Sequence, residues 1–158
     1  MTREQRSWAM LSRTGPLGGG NPKSSWRAGW AAVMTDDFGN LIYRILGPCP
    51  DDFPTSLRSE QWGVLMLLER AIPPIKIHVD NATVVKGTMM GKTWCIDSGR
   101  KATDLWKFVW ERLDALGPGV IFEKCKGHAT DADVEAGRST KCSNIGNDHA
   151  DTFANKRR

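Results

Sequence analysis

The sequence predicts one mixed α/β domain in which helices pack on a sheet. Two strand-like segments separated by a turn come first, and strand-like and helix-like segments then alternate along the chain. The composition is that of a globular domain, with 40% hydrophobic and 25% charged residues. Because 158 residues is the usual length of one domain with its own core, we expect residues 1–158 to form a single domain.

The first half of the chain predicts a hairpin followed by a helix. AGWAAVM (28–34) and NLIYRIL (40–46) are strand-like, and the turn TDDFG between them is typical of an antiparallel hairpin. A proline-broken loop leads to SLRSEQWGVLMLLERA (56–71), whose apolar residues recur on one helical stripe. Glu60 stands at the head of that stripe. Its carboxylate therefore either caps the first turn of the helix or points into a cleft.

The second half adds two strands and three helices. IKIHVD (75–80) alternates, with Ile75, Ile77 and Val79 on one side and Asp80 at its end. His78 alternates with these buried positions and is expected to be structural. The remaining predicted elements are a short helix NATVVKG (81–87), a long amphipathic helix RKATDLWKFVWERLDAL (100–116), a strand GVIFEKCKGH (119–128) and a last helix GNDHADTFANK (146–156).

The charge of the chain favours an anionic partner without naming it. The net charge is +4 and the pI is near 9.0. Residues 86–101 interleave basic side chains with Trp94, which suits a nucleic-acid backbone, although a solvated helix face gives the same pattern. The four cysteines form no C-x-x-C pair, and residues 1–10 lack the apolar core of a secretory signal. We therefore expect reduced thiols in an intracellular protein of the cytoplasm or nucleus, with no membrane contact.

Three acidic residues are candidates for a metal site. Glu60, Asp80 and Asp151 fall at a helix start, a strand end and the last helix, which an α/β sheet can bring to one rim. Clustered carboxylates repel one another unless cations neutralise them, and Mg²⁺ prefers such oxygen ligands. On spacing alone, ordinary surface charge is the better explanation of these three residues.

Five short motifs, in order, resemble the ribonuclease H type 1 family, endonucleases that cut the RNA strand of RNA–DNA hybrids. They are R-S-E ending at Glu60, I-H-V-D-N containing Asp80, A-T-D-L-W (102–106), K-G-H ending at His128 and G-N-D-H-A-D ending at Asp151. The resemblance runs from about residue 28 to residue 154. It implies a ribonuclease H-like fold, a mixed five-stranded sheet with helices packed on it.

The resemblance also implies roles for individual residues. Glu60 and Asp80 would bind Mg²⁺ or Mn²⁺, Asp151 would bind a second such ion, and His128 would assist proton transfer or product release. A retroelement origin and a monomeric state are further expectations, and the partner would be an RNA–DNA hybrid or another duplex, recognised through phosphates and groove shape. The predicted nucleic-acid contacts are Arg58, Asn81, Lys86, Lys92, Trp94, Arg100, Lys101 and Asn147, the last of which is equally suited to helix N-capping.

The opening of the chain departs from the family pattern. The family carries a first aspartate at the end of its opening strand, but no acidic residue lies between Glu4 and Asp36. SWAMLS (7–12) is the predicted opening strand, so the aspartate position falls near Arg13 or near Pro16. The stretch LSRTGPLGGGNPK (11–23) is not a phosphate-binding loop, because Asn and Pro precede its lysine. Residues 1–27 therefore form an atypical opening strand and glycine-rich turn.

Three hypotheses follow for function. In the first, the chain is a magnesium-dependent endoribonuclease that acts on RNA–DNA hybrids. In the second, it is a catalytically impaired module that binds hybrid or duplex without cleaving it. In the third, the N-terminal residues are foreign to the domain and the chain is a damaged copy. The missing carboxylate leaves all three open.

Overall fold

The computed structural model describes residues 6–16, 26–36, 38, 40–51, 55–125, 132, 135 and 136. These residues contain a five-stranded sheet and four α-helices. The strands are β1 (Arg6–Pro16), β2 (Trp26–Thr35), β3 (Leu41–Pro48), β4 (Ile75–Val79) and β5 (Val120–Lys124). The helices are α1 (Ser56–Leu68), α2 (Ala82–Met90), α3 (Lys92–Ile96) and α4 (Thr103–Leu116).

The sheet is mixed, as the sequence predicts. Its strand order is β3-β2-β1-β4-β5. β1 to β3 form an antiparallel meander, whereas β4 pairs in parallel with both β1 and β5. β1 and β4 are thus parallel neighbours, and their carboxyl ends meet at one edge of the sheet.

The main core lies between the sheet and its helices. On β4, Ile75, Ile77 and Val79 are each at most 1% exposed, which confirms the predicted alternation. From β1, Met10 enters the same cluster, and α4 contributes Trp106. These contacts fix the helices on one face of the sheet.

Two helical glycines permit close packing at this face. A Cβ at Gly63 of α1 would lie 2.8 Å from the sulfur of Met10 and 3.0 Å from Cβ of Trp30, so α1 sits directly on β1 and β2. A Cβ at Gly87 of α2 would lie 2.4 Å from two ring atoms of Trp106. Because Trp106 is 1% exposed, its ring has little room to move away.

Replacing Gly87 with alanine is therefore expected to destabilise the domain. Alanine gains up to about 1 kcal/mol of helix propensity, but overpacking a filled core costs about 1–3 kcal/mol. We expect the packing cost to exceed the gain in helix propensity, so the free energy of unfolding measured in urea should fall by about 1–2 kcal/mol. Gly99→Ala is the matched control, since a Cβ there meets no atom within 4 Å. Equal stability of the two variants would contradict the packing argument.

Two elements differ from the sequence prediction. β1 continues to Pro16 and remains paired with β2 as far as Trp26, so residues 13–16 belong to the strand and not to a turn. The helix α3 was not predicted, because its five residues are too few to show a period. The predicted last helix and the preceding long loop lie outside the described residues.

Candidate active site

The site forms where β1 and β4 run side by side. Met10 of β1 is in register with Val79 of β4, so Ser12 and Asp80 follow at the same edge of the sheet. Ser12 shares a face with Met10 because side chains alternate along a strand. Above this edge, α1 carries Glu60 on the face that packs against β1. Three polar side chains from three elements thus converge.

Glu60 is held in the interior rather than at the helix surface. Its side chain is 1% exposed, and α1 is capped by Thr55, whose hydroxyl accepts the N–H of Arg58 at 3.2 Å. Glu60 therefore does not cap the helix, and its side chain points inward toward β1 and the end of β4. One carboxylate oxygen of Glu60 accepts a long hydrogen bond of 3.4 Å from the N–H of Asn81.

Ser12 is the β1 side chain that reaches Glu60. Its Oγ lies 3.5 Å from Oε2 of Glu60 and 3.3 Å from the carbonyl oxygen of Ser56, and the residue is 5% exposed. A hydroxyl has one hydrogen, so it donates to only one of these acceptors at a time. The residue beside Glu60 is therefore Ser12, one position before Arg13 and four before Pro16, where the sequence placed the missing carboxylate.

The environment of Glu60 disfavours its ionised form. Burial, and then the neighbouring carboxyl of Asp80, raise the pKa of Glu60 well above its usual range. The Asn81 N–H and the Ser12 hydroxyl oppose this shift without cancelling it. A proton on Glu60 or a bound cation would relieve the repulsion between the two carboxyls.

The described side chains supply part of the oxygen donor set that a divalent cation requires. Glu60 and Asp80 supply hard carboxylate oxygens, and Ser12 adds a neutral hydroxyl. In the described part of the chain, no group of three or more His, Cys, Asp or Glu side chains is arranged to hold a metal ion. Two carboxylates and one hydroxyl would form only part of the ligand set of one Mg²⁺ or Mn²⁺. His128, Asn147 and Asp151 lie outside the described residues, so their predicted roles stay predictions.

Arg58 has partners that the sequence did not indicate. Its Nε lies 2.7 Å from Oδ2 of Asp51, and its Nη1 and Nη2 each lie 2.9 Å from the carboxylate oxygens of Asp104 on α4. Trp62 Nε1 also donates to Asp51 at 3.0 Å. This cluster ties the loop after β3 to α1 and α4. These contacts use four of the five N–H donors of the guanidinium, so at most one is left for a phosphate.

The basic segment folds into a compact cluster. The guanidinium carbon of Arg100 lies 3.9 Å from the centre of the Trp94 ring, and Nζ of Lys86 lies 5.5 Å from it. Lys92 instead pairs with Asp114 at 3.1 Å, and Lys101 is exposed next to Arg100. The basic residues that alternate with Trp94 in the sequence thus contact its ring in the fold. These contacts join α2, α3 and the turn before α4.

Asn81 joins the acidic pair to this basic cluster. Its side-chain oxygen caps α2 by accepting from the N–H groups of Thr83 and Val84, at 2.9 and 3.3 Å. Lys86 follows on the same helix, about 8 Å further along at 1.5 Å per residue. The side chain of Asn81, which the sequence predicts to contact nucleic acid, therefore forms the N-cap of α2.

Comparisons with known proteins agree with this architecture. No family model matches the sequence, and no curated protein matches it. The structure is similar to the solution structure of the prototype foamy virus RNase H domain, with a TM-score of 0.69 and 19% identity over 96% of this chain and 94% of that chain. It is also similar to LC11-RNase H1 solved with an RNA/DNA hybrid, with a TM-score of 0.58 and 13% identity over 95% of each chain.

A longer structure shows the same likeness. The native prototype foamy virus protease-reverse transcriptase matches with a TM-score of 0.69 and 18% identity, over 99% of this chain and 21% of that chain. This chain thus spans about a fifth of that protein. The chain has a ribonuclease H-like fold, and the resemblance to type 1 ribonucleases H is confirmed at the level of the fold. Among the described residues, no helix is both long and apolar enough to cross a membrane.

Proposed function

We propose that this chain is a nucleic-acid-binding ribonuclease H-type domain that engages RNA–DNA hybrid or another duplex but cleaves RNA weakly or not at all. The observation that carries the proposal is Ser12 in contact with Glu60, at the end of the central strand. A carboxylate in this place would complete a three-acid cluster with Glu60 and Asp80. The Ser12 hydroxyl occupies this place but carries no negative charge.

The rest of the site retains what binding requires. Lys86 and Arg100 are exposed cations held against Trp94. Such cations provide affinity for a phosphate backbone without selecting a sequence. The ring of Trp94 orients both cations and lowers the entropy lost when they meet a phosphate. The neighbour solved with a hybrid has the same fold, which makes a hybrid the first ligand to test.

A bound divalent cation would be held by Glu60 and Asp80. Such an ion polarises phosphoryl oxygens and lowers the pKa of bound water. The chain itself contributes the positions of these carboxylates through the burial of Glu60 and the cap at Asn81. The metal-dependent endoribonuclease remains the second candidate, and the Glu60–Asp80 pair is the observation that favours it.

The binding half of the proposal is tested with a fluorescent 12-base-pair RNA–DNA hybrid in EDTA. Arg100→Gln should weaken binding and lower the slope of log K against log salt by about 1, since one phosphate contact is lost. Arg70→Gln is the matched control, because it removes the same charge beyond the far end of α1. The proposal fails if the unmodified chain binds no hybrid, or if both variants weaken binding equally.

A further inference from the structure

The end of the β2–β3 hairpin carries an exposed apolar surface. Phe38 is 86% exposed, and both Ile42 and Tyr43 are more than half exposed. Leu41, which precedes Ile42 on β3, is also exposed. We call these four side chains the hairpin patch. A single exposed apolar residue is ordinary, whereas several on one hairpin are typical of an interaction site.

A break in strand pairing brings these side chains to the surface. Tyr43 is paired with Met34 of β2, and Leu41 is paired with Thr35. Ile42 is therefore the extra residue of a β-bulge, where the register of the two strands shifts. A bulge interrupts the regular ladder and re-aims side chains. This accounts for three consecutive apolar residues that are all exposed.

The hairpin holds the patch in a fixed shape. One carboxylate oxygen of Asp36 accepts the N–H groups of Phe38 and Asn40, at 2.9 and 2.8 Å, and the other accepts from the Asn40 side chain at 3.0 Å. The Tyr43 ring packs edge-on against Trp8, with the ring centres 5.9 Å apart. A surface that is already ordered loses less conformational entropy when a partner covers it.

The two edges of the described sheet differ in charge. β5 has only five residues and ends with Glu123 and Lys124, and charges on a short edge strand oppose association. β3 has eight residues, of which Arg44 alone is charged. Asp36 precedes the hairpin patch and Arg44 follows it. An antiparallel two-fold contact between two copies therefore brings opposite charges toward each other at both ends of the patch.

We propose that the hairpin patch docks against the same patch of a second copy of this chain, related to the first by a two-fold axis. A covered Phe or Tyr side chain buries about 150–250 Å². Four apolar side chains from each copy therefore bury on the order of 1,000 Å², the lower limit of specific interfaces. The dimer is accordingly weak and depends on protein concentration. It differs from the monomeric state expected from the sequence.

The test measures the mass of the full chain by sedimentation velocity at about 0.15 M salt. We expect a monomer–dimer equilibrium in which the dimer fraction rises between about 1 and 200 µM protein. A chain that stays monomeric over this range would overturn the inference. Species larger than a dimer would also overturn it, because a two-fold contact closes after two copies. No nucleic acid is present, so the result is independent of the proposed function.

Matched lysine variants locate the contact. Ile42→Lys places a charge in the hairpin patch of each copy and should weaken the dimer at least about tenfold, because like charges across an interface repel. Ile121→Lys is the control, since Ile121 is exposed on β5 at the opposite edge of the described sheet, and it should leave the dimer unchanged. Equal dimerisation of the two variants would contradict the inference, because the contact would then lie elsewhere.

A third variant tests the patch without adding a charge. Phe38→Ser removes a ring that is almost fully exposed, so it should weaken the dimer and leave the fold intact. Circular dichroism establishes that each variant is folded. If Ile42→Lys does not fold, Phe38→Ser decides, and a dimer as strong as that of the unmodified chain would refute the proposed contact.

Discussion

Ser12→Asp is expected to raise metal-dependent cleavage of the RNA strand of a hybrid by about 10²-fold or more, which is the scale on which a single preorganised electrostatic group contributes to catalysis. The reason is that the new carboxylate would join Glu60 and Asp80 at the edge where β1 and β4 end. The unmodified chain should show little or no cleavage under the same conditions. The measurement is a single-turnover assay with a labelled hybrid in Mg²⁺ and, separately, Mn²⁺.

The same substitution should cost stability when no cation is present. Three carboxyls in one buried cluster repel one another, and Glu60 is already fully buried. Ser12→Asp should therefore melt lower than the unmodified chain in EDTA and recover part of the loss as Mg²⁺ is added, because the ion binds the folded state alone. This metal-dependent rise distinguishes a completed site from a damaged core.

Two controls define the result. Ser12→Asn keeps the shape without the charge and should not gain cleavage, and the double variant Ser12→Asp with Asp80→Asn should lose any gain. If folded Ser12→Asp binds hybrid but cleaves no faster, Arg13→Asp and Pro16→Asp, which the sequence favoured, become the comparison. A gain at either of these positions alone would show that Ser12 is not the position of the missing carboxylate.

Position 12 shows what the sequence could and could not predict about the site. Alternation along SWAMLS already places Trp8, Met10 and Ser12 on one face, so the signal for Ser12 was present. The sequence prediction ends the strand at residue 12 and therefore places the carboxylate position near Arg13 or Pro16, whereas pairing with β2 extends β1 to Pro16. The strand's end is set by its partner, and pairing between distant segments has no local signature.

Other parts of the fold were predictable for a physical reason. β4 and α4 carry strong periods of two and 3.6, and both lie where these patterns place them. The Arg58 cluster was not predictable, because Asp51 lies within a proline-broken loop and Asp104 lies 46 residues away from Arg58 on another helix. The position of Arg58 in the R-S-E motif suggested a contact with phosphate. In the fold, its guanidinium instead pairs with the carboxylates of Asp51 and Asp104.

Replacing Arg58 is expected to lower the free energy of unfolding more than replacing any other surface or boundary residue discussed. Arg58→Met keeps the length of the side chain but leaves the carboxylates of Asp51 and Asp104 without their shared partner. The half-buried contact to Asp51 should contribute about 1–3 kcal/mol, the range of charge-assisted hydrogen bonds. The contact to Asp104, whose side chain is 62% exposed, should add at most about 1 kcal/mol. We expect a total loss of about 2–3 kcal/mol in urea unfolding at pH 7.

The pH dependence gives this prediction a second readout. For Asp51, partial burial raises the pKa, but hydrogen bonds from Arg58 and Trp62 outweigh it, so the net shift is downward; Arg58 also lowers the pKa of Asp104. A carboxyl with a lowered folded-state pKa stabilises the fold above its unfolded value of 3.8, and this contribution disappears as the pH falls through the folded-state value. The unmodified chain should therefore lose stability below about pH 4, and Arg58→Met should lose less.

The matched control for Arg58→Met is Arg58→Lys, which keeps the charge but cannot reach both carboxylates as a planar fork. It should recover only part of the stability, because a single ammonium replaces the four hydrogen bonds that the guanidinium donates to the two carboxylates. Equal stability of Arg58→Met and the unmodified chain at pH 7 would show that the cluster is solvated and contributes nothing. If Arg58→Met instead weakens hybrid binding while stability is unchanged, the guanidinium leaves its carboxylates for a phosphate, as the sequence resemblance implied.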